Sequence, residues 1–191
     1  MTRRTKIILA GLTTLFITCV CCGGFGLWSA WMMSRSFTSD TEAARALGAE
    51  IARYTLPPGY KEVAGIRLFG AEMVAISSDL TAGDGMLVML MKVADGEVVD
   101  QAALEKQLEL AVQQQFAFQR LELTLDRVEE RTINGQPATL TFWKGENAAG
   151  VPYRQMSVLF SGSKGMAFLL AMGAEAKWDQ QALDSLLDSI R

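Results

Sequence analysis

Histidine is missing from all 191 residues. That absence excludes the Ser-His-Asp and Cys-His nucleophile systems, His-ligated zinc and the usual side chain for proton transfer near neutral pH. Cysteine is nearly as scarce. Cys19, Cys21 and Cys22 all fall within one apolar N-terminal run, which leaves the rest of the chain without a disulfide or a thiolate site. A core of this size needs no such staple, so an oxidising compartment stays open to it. Positive charge is thin as well. The net charge is -3, and Arg3, Arg4 and Lys6 supply three positives at the start, so the remainder stands near -6 by subtraction. No basic stripe is left for nucleic acid, and an acidic domain is repelled by anionic lipid headgroups.

No charge interrupts Ile7 to Met33 (IILAGLTTLFITCVCCGGFGLWSAWMM). As a helix this run is roughly 40 Å long, more than the ~30 Å of bilayer hydrocarbon requires. A cleaved signal peptide has a shorter apolar region ending in small residues. Here Trp28, Trp31, Met32 and Met33 crowd the outer end, and the tryptophans suit an interfacial aromatic belt. Arg3-Arg4 is a poor twin-arginine signal because Lys6 stands where an apolar residue is usual. Phe16-Ile17-Thr18-Cys19 likewise fits a lipidated cysteine badly. The expectation is an uncleaved transmembrane helix over residues 7–33. Positive charges precede it, whereas Arg35 stands alone after it, ahead of Asp40 and Glu42. The positive-inside rule then keeps residues 1–6 in the cytoplasm and puts the soluble part on the periplasmic or extracellular side of the cytoplasmic membrane.

Thr14, Thr18, Cys22, Gly26 and Ala30 recur every four residues along this run. Such a stripe lets a second helix approach closely, either another copy or a larger membrane complex. Small residues are also simply common in membrane spans, so the stripe has two readings.

The remainder divides into a juxtamembrane linker and helix over 34–54 and an α+β domain over 55–191. Ser39 with Glu42 has the spacing of a capping box for a helix from about Asp40 to Arg53, which Pro57-Pro58 closes off. Strands are expected at Lys61–Phe69, Ala71–Ser77, Met86–Val93, Glu122–Ile133, Ala138–Gly145, Tyr153–Ser161 and Gly165–Met172. Asn134-Gly135 marks a tight hairpin. Leu104, Leu108, Ala111 and Val112 line one face of a helix expected from Asp100 to about Phe118. A last helix opens at Asp179, where Trp178 and Leu183 are placed for a hydrophobic staple. Its stripe of Leu183, Leu186, Leu187 and Ile190 must find a sheet to cover. The fold class is α+β: an antiparallel sheet of about six or seven strands in a sandwich with packed helices.

Three segments carry a resemblance. Leu56-Pro57-Pro58-Gly59-Tyr60 opens the domain, Ile133-Asn134-Gly135-Gln136-Pro137-Ala138 forms its central hairpin, and Trp178-Asp179 with Leu187-Asp188-Ser189-Ile190-Arg191 closes it. Together they resemble the PsbP-like superfamily of α/β/α sandwiches, which includes the DcrB-like bacterial lipoproteins. The resemblance spans roughly residues 55–191 and implies an accessory or adaptor subunit. It brings no catalytic residues with it, and a membrane helix here replaces the lipid anchor.

Other chemistry is weakly supported. Met73, Met86, Met89 and Met91 suggest Cu(I), but alternation sends Met86 to the face opposite Met89 and Met91. Asp79 to Gly85 has too few carboxylates for a calcium loop, and Asp95, Glu97 and Asp100 add no ligand pattern. Asp126, Glu129 and Glu130 alternate with Arg127 and Arg131, which reads as an exposed, charge-balanced edge and not as a pair of glycosidase acids. Gly162-Ser163-Lys164-Gly165 leads into a strand, so it is a hairpin turn and not a phosphate loop. The functional expectation is a non-enzymatic, membrane-anchored extracytoplasmic accessory or interaction domain without cofactor or metal. The alternative is a sensing domain with a ligand pocket between the sheet and helix 101–118. The expected partners are the membrane, and a membrane protein or a second copy through the transmembrane helix.

Overall fold

The computed structural model describes residues 37–68, 71–78, 85–95, 122–147 and 149–191. The transmembrane helix expected over 7–33, its stripe of Thr14, Thr18, Cys22, Gly26 and Ala30, and the helix expected over 101–118 all lie outside these residues. Among the described residues no helix is long and apolar enough to cross a membrane.

The elements are β1 (Phe37–Thr38), α1 (Thr41–Ile51), β2 (Lys61–Leu68), β3 (Ala71–Ser77), β4 (Leu87–Asp95), β5 (Glu122–Ile133), β6 (Gln136–Glu146), β7 (Pro152–Gly162), β8 (Gly165–Ala174), a 3-10 turn (Glu175–Lys177) and α2 (Gln180–Ser189). The strands form one sheet in the order β1-β2-β3-β4-β8-β7-β6-β5. Every long strand runs antiparallel to its neighbours. The seven long strands are the seven expected from the alternating patterns. β6 starts at Gln136 and not at Ala138, because Pro137 lies inside the strand. Its missing N–H costs no ladder bond there, since β7 joins β6 only from Leu140 onward.

α1 opens one residue later than the capping-box pattern implies. Asp40, not Ser39, is the cap: its backbone is extended and its carboxylate accepts from the Glu42 amide at 3.0 Å. Glu42 therefore falls in the first helical turn, where its charge suits the helix dipole, and no capping box forms. The compact unit begins at Thr38, so α1, which the sequence places in the juxtamembrane stretch, is one of its layers.

Both described helices cover the same face of the sheet. Leu47 and Ile51 of α1 and Leu183, Leu186 and Leu187 of α2 share a core with Val74, Ile76, Val88, Leu90, Leu140, Phe142, Met156, Val158 and Leu169. The opposite face carries a second apolar cluster of Leu159, Phe168, Leu170 and Met172, flanked by Leu87, Met89, Met91 and Met166. A close approach at its C-terminal end locks α1 to the sheet. A Cβ on Gly162 would stand 2.5 Å from the Ile51 carbonyl oxygen, which accepts from the Ser163 amide at 2.8 Å. Only glycine lets the β7–β8 turn come that near the end of α1.

α2 is held at both ends. Asp179 caps it by accepting from the Ala182 amide at 2.9 Å, and Trp178 packs, half-buried, on the core to which Leu183 belongs. At the far end Ser189 Oγ exchanges hydrogen bonds with Thr55, and the Arg191 amide donates to the Arg53 carbonyl. Between them Arg131 of β5 reaches Asp184 at 2.7 Å and Asp188 at 2.6 Å, one helical turn apart. Both carboxylates are substantially exposed, so solvent screens the attraction. Arg131→Met is expected to cost about 1 kcal/mol in chemical denaturation, and the loss should shrink in high salt as exposed ion pairs do. A loss unchanged by salt would place the role of Arg131 in packing instead.

Candidate functional site

Two surface features stand apart from the packed core: a cleft beside α1 and the free edge of β5. The cleft has a volume of about 390 Å³ and is lined by Arg45, Arg53, Tyr54, Thr55, Leu56 and Glu62. Glu62 is buried, at 4% exposure, just before a register shift in β2. It is satisfied locally, because the Tyr54 hydroxyl donates to its carboxylate at 3.3 Å. Tyr54 reaches it by lying across the helix at Gly48, where an added Cβ would come within 2.1 Å of the phenol oxygen. Burial pushes the Tyr54 phenol up in pKa, and the charge of Glu62 adds to that, while Arg45 pulls the other way. Arg45 and Arg53 form no ion pair among the described residues.

A phenol held neutral by the fold has a defined pH signature. Its contribution to stability is complete below the ordinary tyrosine value of about 10 and fades as pH rises above it toward the raised folded value. Stability should therefore fall more steeply above pH 10 in the native chain than in Tyr54→Phe, read as denaturation midpoints from pH 8 to 11. Burial also pushes up Tyr60 and Tyr153, so a slope remains in the variant. Parallel slopes would show that Tyr54 ionises freely.

The β5 edge is different in kind. β5 is 12 residues long and ends the sheet, bonded to β6 alone among the described residues. Leu125 is 60% and Val128 53% exposed, and with Val151 at 41% they are the exposed large apolar side chains of the described residues. A shift in the β5–β6 register between Leu125 and Arg127 makes Asp126 an extra residue. That bulge puts Leu125 (opposite Trp143) and Val128 (opposite Thr141) on the sheet face that α1 and α2 do not cover. On the helix-covered face the Arg127 guanidinium lies 3.8 Å above the Phe142 ring and pairs with Asp126 and Glu129. Asp126 also meets Lys144 at 2.6 Å, and the Lys144 contact, with Arg127 behind it, holds the Asp126 carboxyl below its usual range. Of the interleaved charges expected along this strand, Asp126, Arg127 and Glu129 pair with one another, Arg131 pairs with α2, and Glu130 forms no ion pair among the described residues.

Met73 lies directly opposite Met91, and Met89 and Met91 pack on the second cluster, whereas Met86 is buried in the first core. The four thioethers therefore do not converge. Asp79, Asp84, Glu97 and Asp100 lie outside the described residues, and among the described residues no group of acids is placed to hold a metal ion. The Gly162 to Gly165 segment is a hairpin turn, with Lys164 near Glu50 at 3.7 Å. Sequence reasoning missed Tyr54, Glu62 and the exposed pair on β5. For the pair a signal did exist: the alternation Leu123, Leu125 skips to Val128, and such a phase slip is what a bulge produces.

No family model matches the chain, and no curated protein matches it. Among solved structures it is similar to the cyanobacterial PsbP (CyanoP) of Synechocystis sp. PCC 6803, at 14% identity over 74% of this chain and 92% of that one, with a TM-score of 0.48. That neighbour bears the name of the superfamily that the turn and cap motifs resemble.

Proposed function

We propose that this chain is a membrane-tethered interaction domain, without catalytic function, that serves an envelope complex as an accessory subunit or adaptor. In this reading residues 7–33 span the cytoplasmic membrane with the N-terminus inside, and the domain stands on the periplasmic or extracellular side. A place in the PsbP-like superfamily beside the DcrB-like lipoproteins is part of the same proposal and rests on the three motifs quoted above. The observation that carries it is the β5 edge. A 12-residue strand ends the sheet with its outer backbone groups unpaired among the described residues, and it bears Leu125 and Val128 in the open. An extended segment of another protein can add there as a further strand, with backbone bonds giving affinity and the two apolar side chains giving grip.

The alternative, ligand sensing, draws on the cleft beside α1, where Arg45 and Arg53 suit a small anion. It is the weaker reading because the buried acid of that cleft is already occupied by Tyr54.

A photo-crosslinking residue at Leu125 of the full chain in native membranes should form protein adducts, and one at Glu42 on the exposed face of α1 should not. Equal yields at the two positions would overturn the interaction reading. Carbonate-resistant membrane association, with protease access only from outside the cytoplasmic membrane, is the matching expectation for the tether.

A further inference from the structure

The β5 edge has a property that a docking site for arbitrary strands does not require: it complements itself. Residues directly opposite in an antiparallel pair share a sheet face, and a two-fold axis normal to the sheet preserves that face. Each register can therefore be tested for charge. Centring on Glu129 sets Glu129 against its own copy and Arg127 against Arg131 outside their normal pairings, two arginines facing each other on each side. Centring on Val128 does the reverse. Val128 then meets Val128 on the face away from α1 and α2, and Arg127 meets Glu129 twice on the helix-covered face. Beyond the bulge Leu125 comes beside Glu130, with its apolar stem near the Val128 pair, and Thr124 comes opposite Arg131.

The structure supplies what this register needs. Arg127 and Glu129 already pair within the strand and are both partly exposed, so each can turn to the copy's partner without a new charge being buried. Val128, more than half exposed in the single chain, would be covered by its own equivalent, and Leu125, also more than half exposed, by the stem of Glu130 of the copy. Asp126, the one acid that would approach Glu130 of the copy, is neutralised beforehand by Lys144 and Arg127.

We infer that the partner at this edge is a second copy of the same chain, joined β5 to β5 about a two-fold axis at Val128. This deepens the interaction reading above and depends on it. A single strand edge buries little area, so the dimer is weak in dilute solution and relies on the concentrating effect of a shared membrane.

The test uses the full chain in membranes, with Cys19, Cys21 and Cys22 replaced by alanine. Val128→Cys should give a disulfide dimer under mild oxidation, at least several-fold above Lys61→Cys, whose β2 position is also exposed but distant in sheet order. In the Val128→Cys background, Arg127→Glu should lower the yield by placing like charges opposite each other, and the swap Arg127→Glu with Glu129→Arg should restore it. The swap also restores the ion pair within the strand, so urea midpoints are read on the same variants: rescue at unchanged midpoints marks a cross-strand pair, whereas yields that only follow the midpoints overturn it. Yield no higher than at Lys61, or no rescue by the swap, overturns the dimer. Leu125 adducts with a different protein and none with this chain would also overturn it while leaving the interaction reading standing, whereas no Leu125 adducts at all would end both.

Discussion

Leu183→Ala is expected to remove about 3–5 kcal/mol of stability, a large fraction of what a domain of this kind possesses. Leu183 is 0% exposed and opens the apolar stripe of α2, against the core that the helices share with the sheet. The cost of such a truncation depends on whether the surroundings can close over the space. Here they cannot move easily. The Asp179 cap fixes the start of α2, the Arg131 clamp holds its middle, and the Ser189–Thr55 and Arg191–Arg53 bonds hold its end. The helix is pinned at a fixed height over the sheet, so most of the cavity persists and the upper part of the range applies. Leu183→Met, which keeps the volume, should cost less than about 1.5 kcal/mol. Urea denaturation reads both, as a shift in midpoint at constant slope. A loss near 1 kcal/mol for the alanine variant would show that α2 settles into the space and that its end contacts are slack.

The ease with which α2 and the sheet were read from the sequence has the same physical origin. Where one face of an element is buried and the other is wet, the pattern repeats at the period of the element: Leu183, Leu186 and Leu187 along a helix, Val74 and Ile76 along β3. Asn134 and Gly135 both adopt positive φ, at 50° and 72°, so the turn they mark followed from local sterics alone. What stayed hidden depended on atoms far apart in the chain. The cap of α1 moved to Asp40 because Ser39 and Asp40 are both competent caps, and the Thr38 hydroxyl takes the Asp40 amide. Glu62 gave no sign of burial, since its partner Tyr54 becomes available only through the bare surface of Gly48. The β5 edge lay between these cases. Its charge balance was legible, but its exposed apolar pair depends on a one-residue bulge that shows only as a slip in alternation.

Gln155→Leu is expected to stabilise the protein, by roughly 2–4 kcal/mol. Gln155 is 0% exposed, and neither its amide oxygen nor its amide nitrogen has a hydrogen-bond partner among the described residues. Burying such a group unpaired carries a desolvation cost for each of its two polar ends, and an apolar side chain of similar size removes both costs at once. The charged variant Gln155→Glu should be severely destabilising for the same reason, with a buried carboxylate added. If leucine instead costs stability, the amide is hydrogen-bonded in solution and the penalty argument fails at its first step. The position gives the result a second use. Leu125, Trp143, Gln155 and Met172 stand opposite one another in a row across β5, β6, β7 and β8, so Gln155 lies two strands inward from the exposed edge on the same face. A polar group kept at a net cost in such a row has to be offset by something other than folding. Gln155→Leu therefore separates two accounts when measured alongside the Val128 crosslink. Higher stability with unchanged crosslinking confines the cost to the fold, whereas higher stability with weakened crosslinking ties the amide to the edge through Trp143.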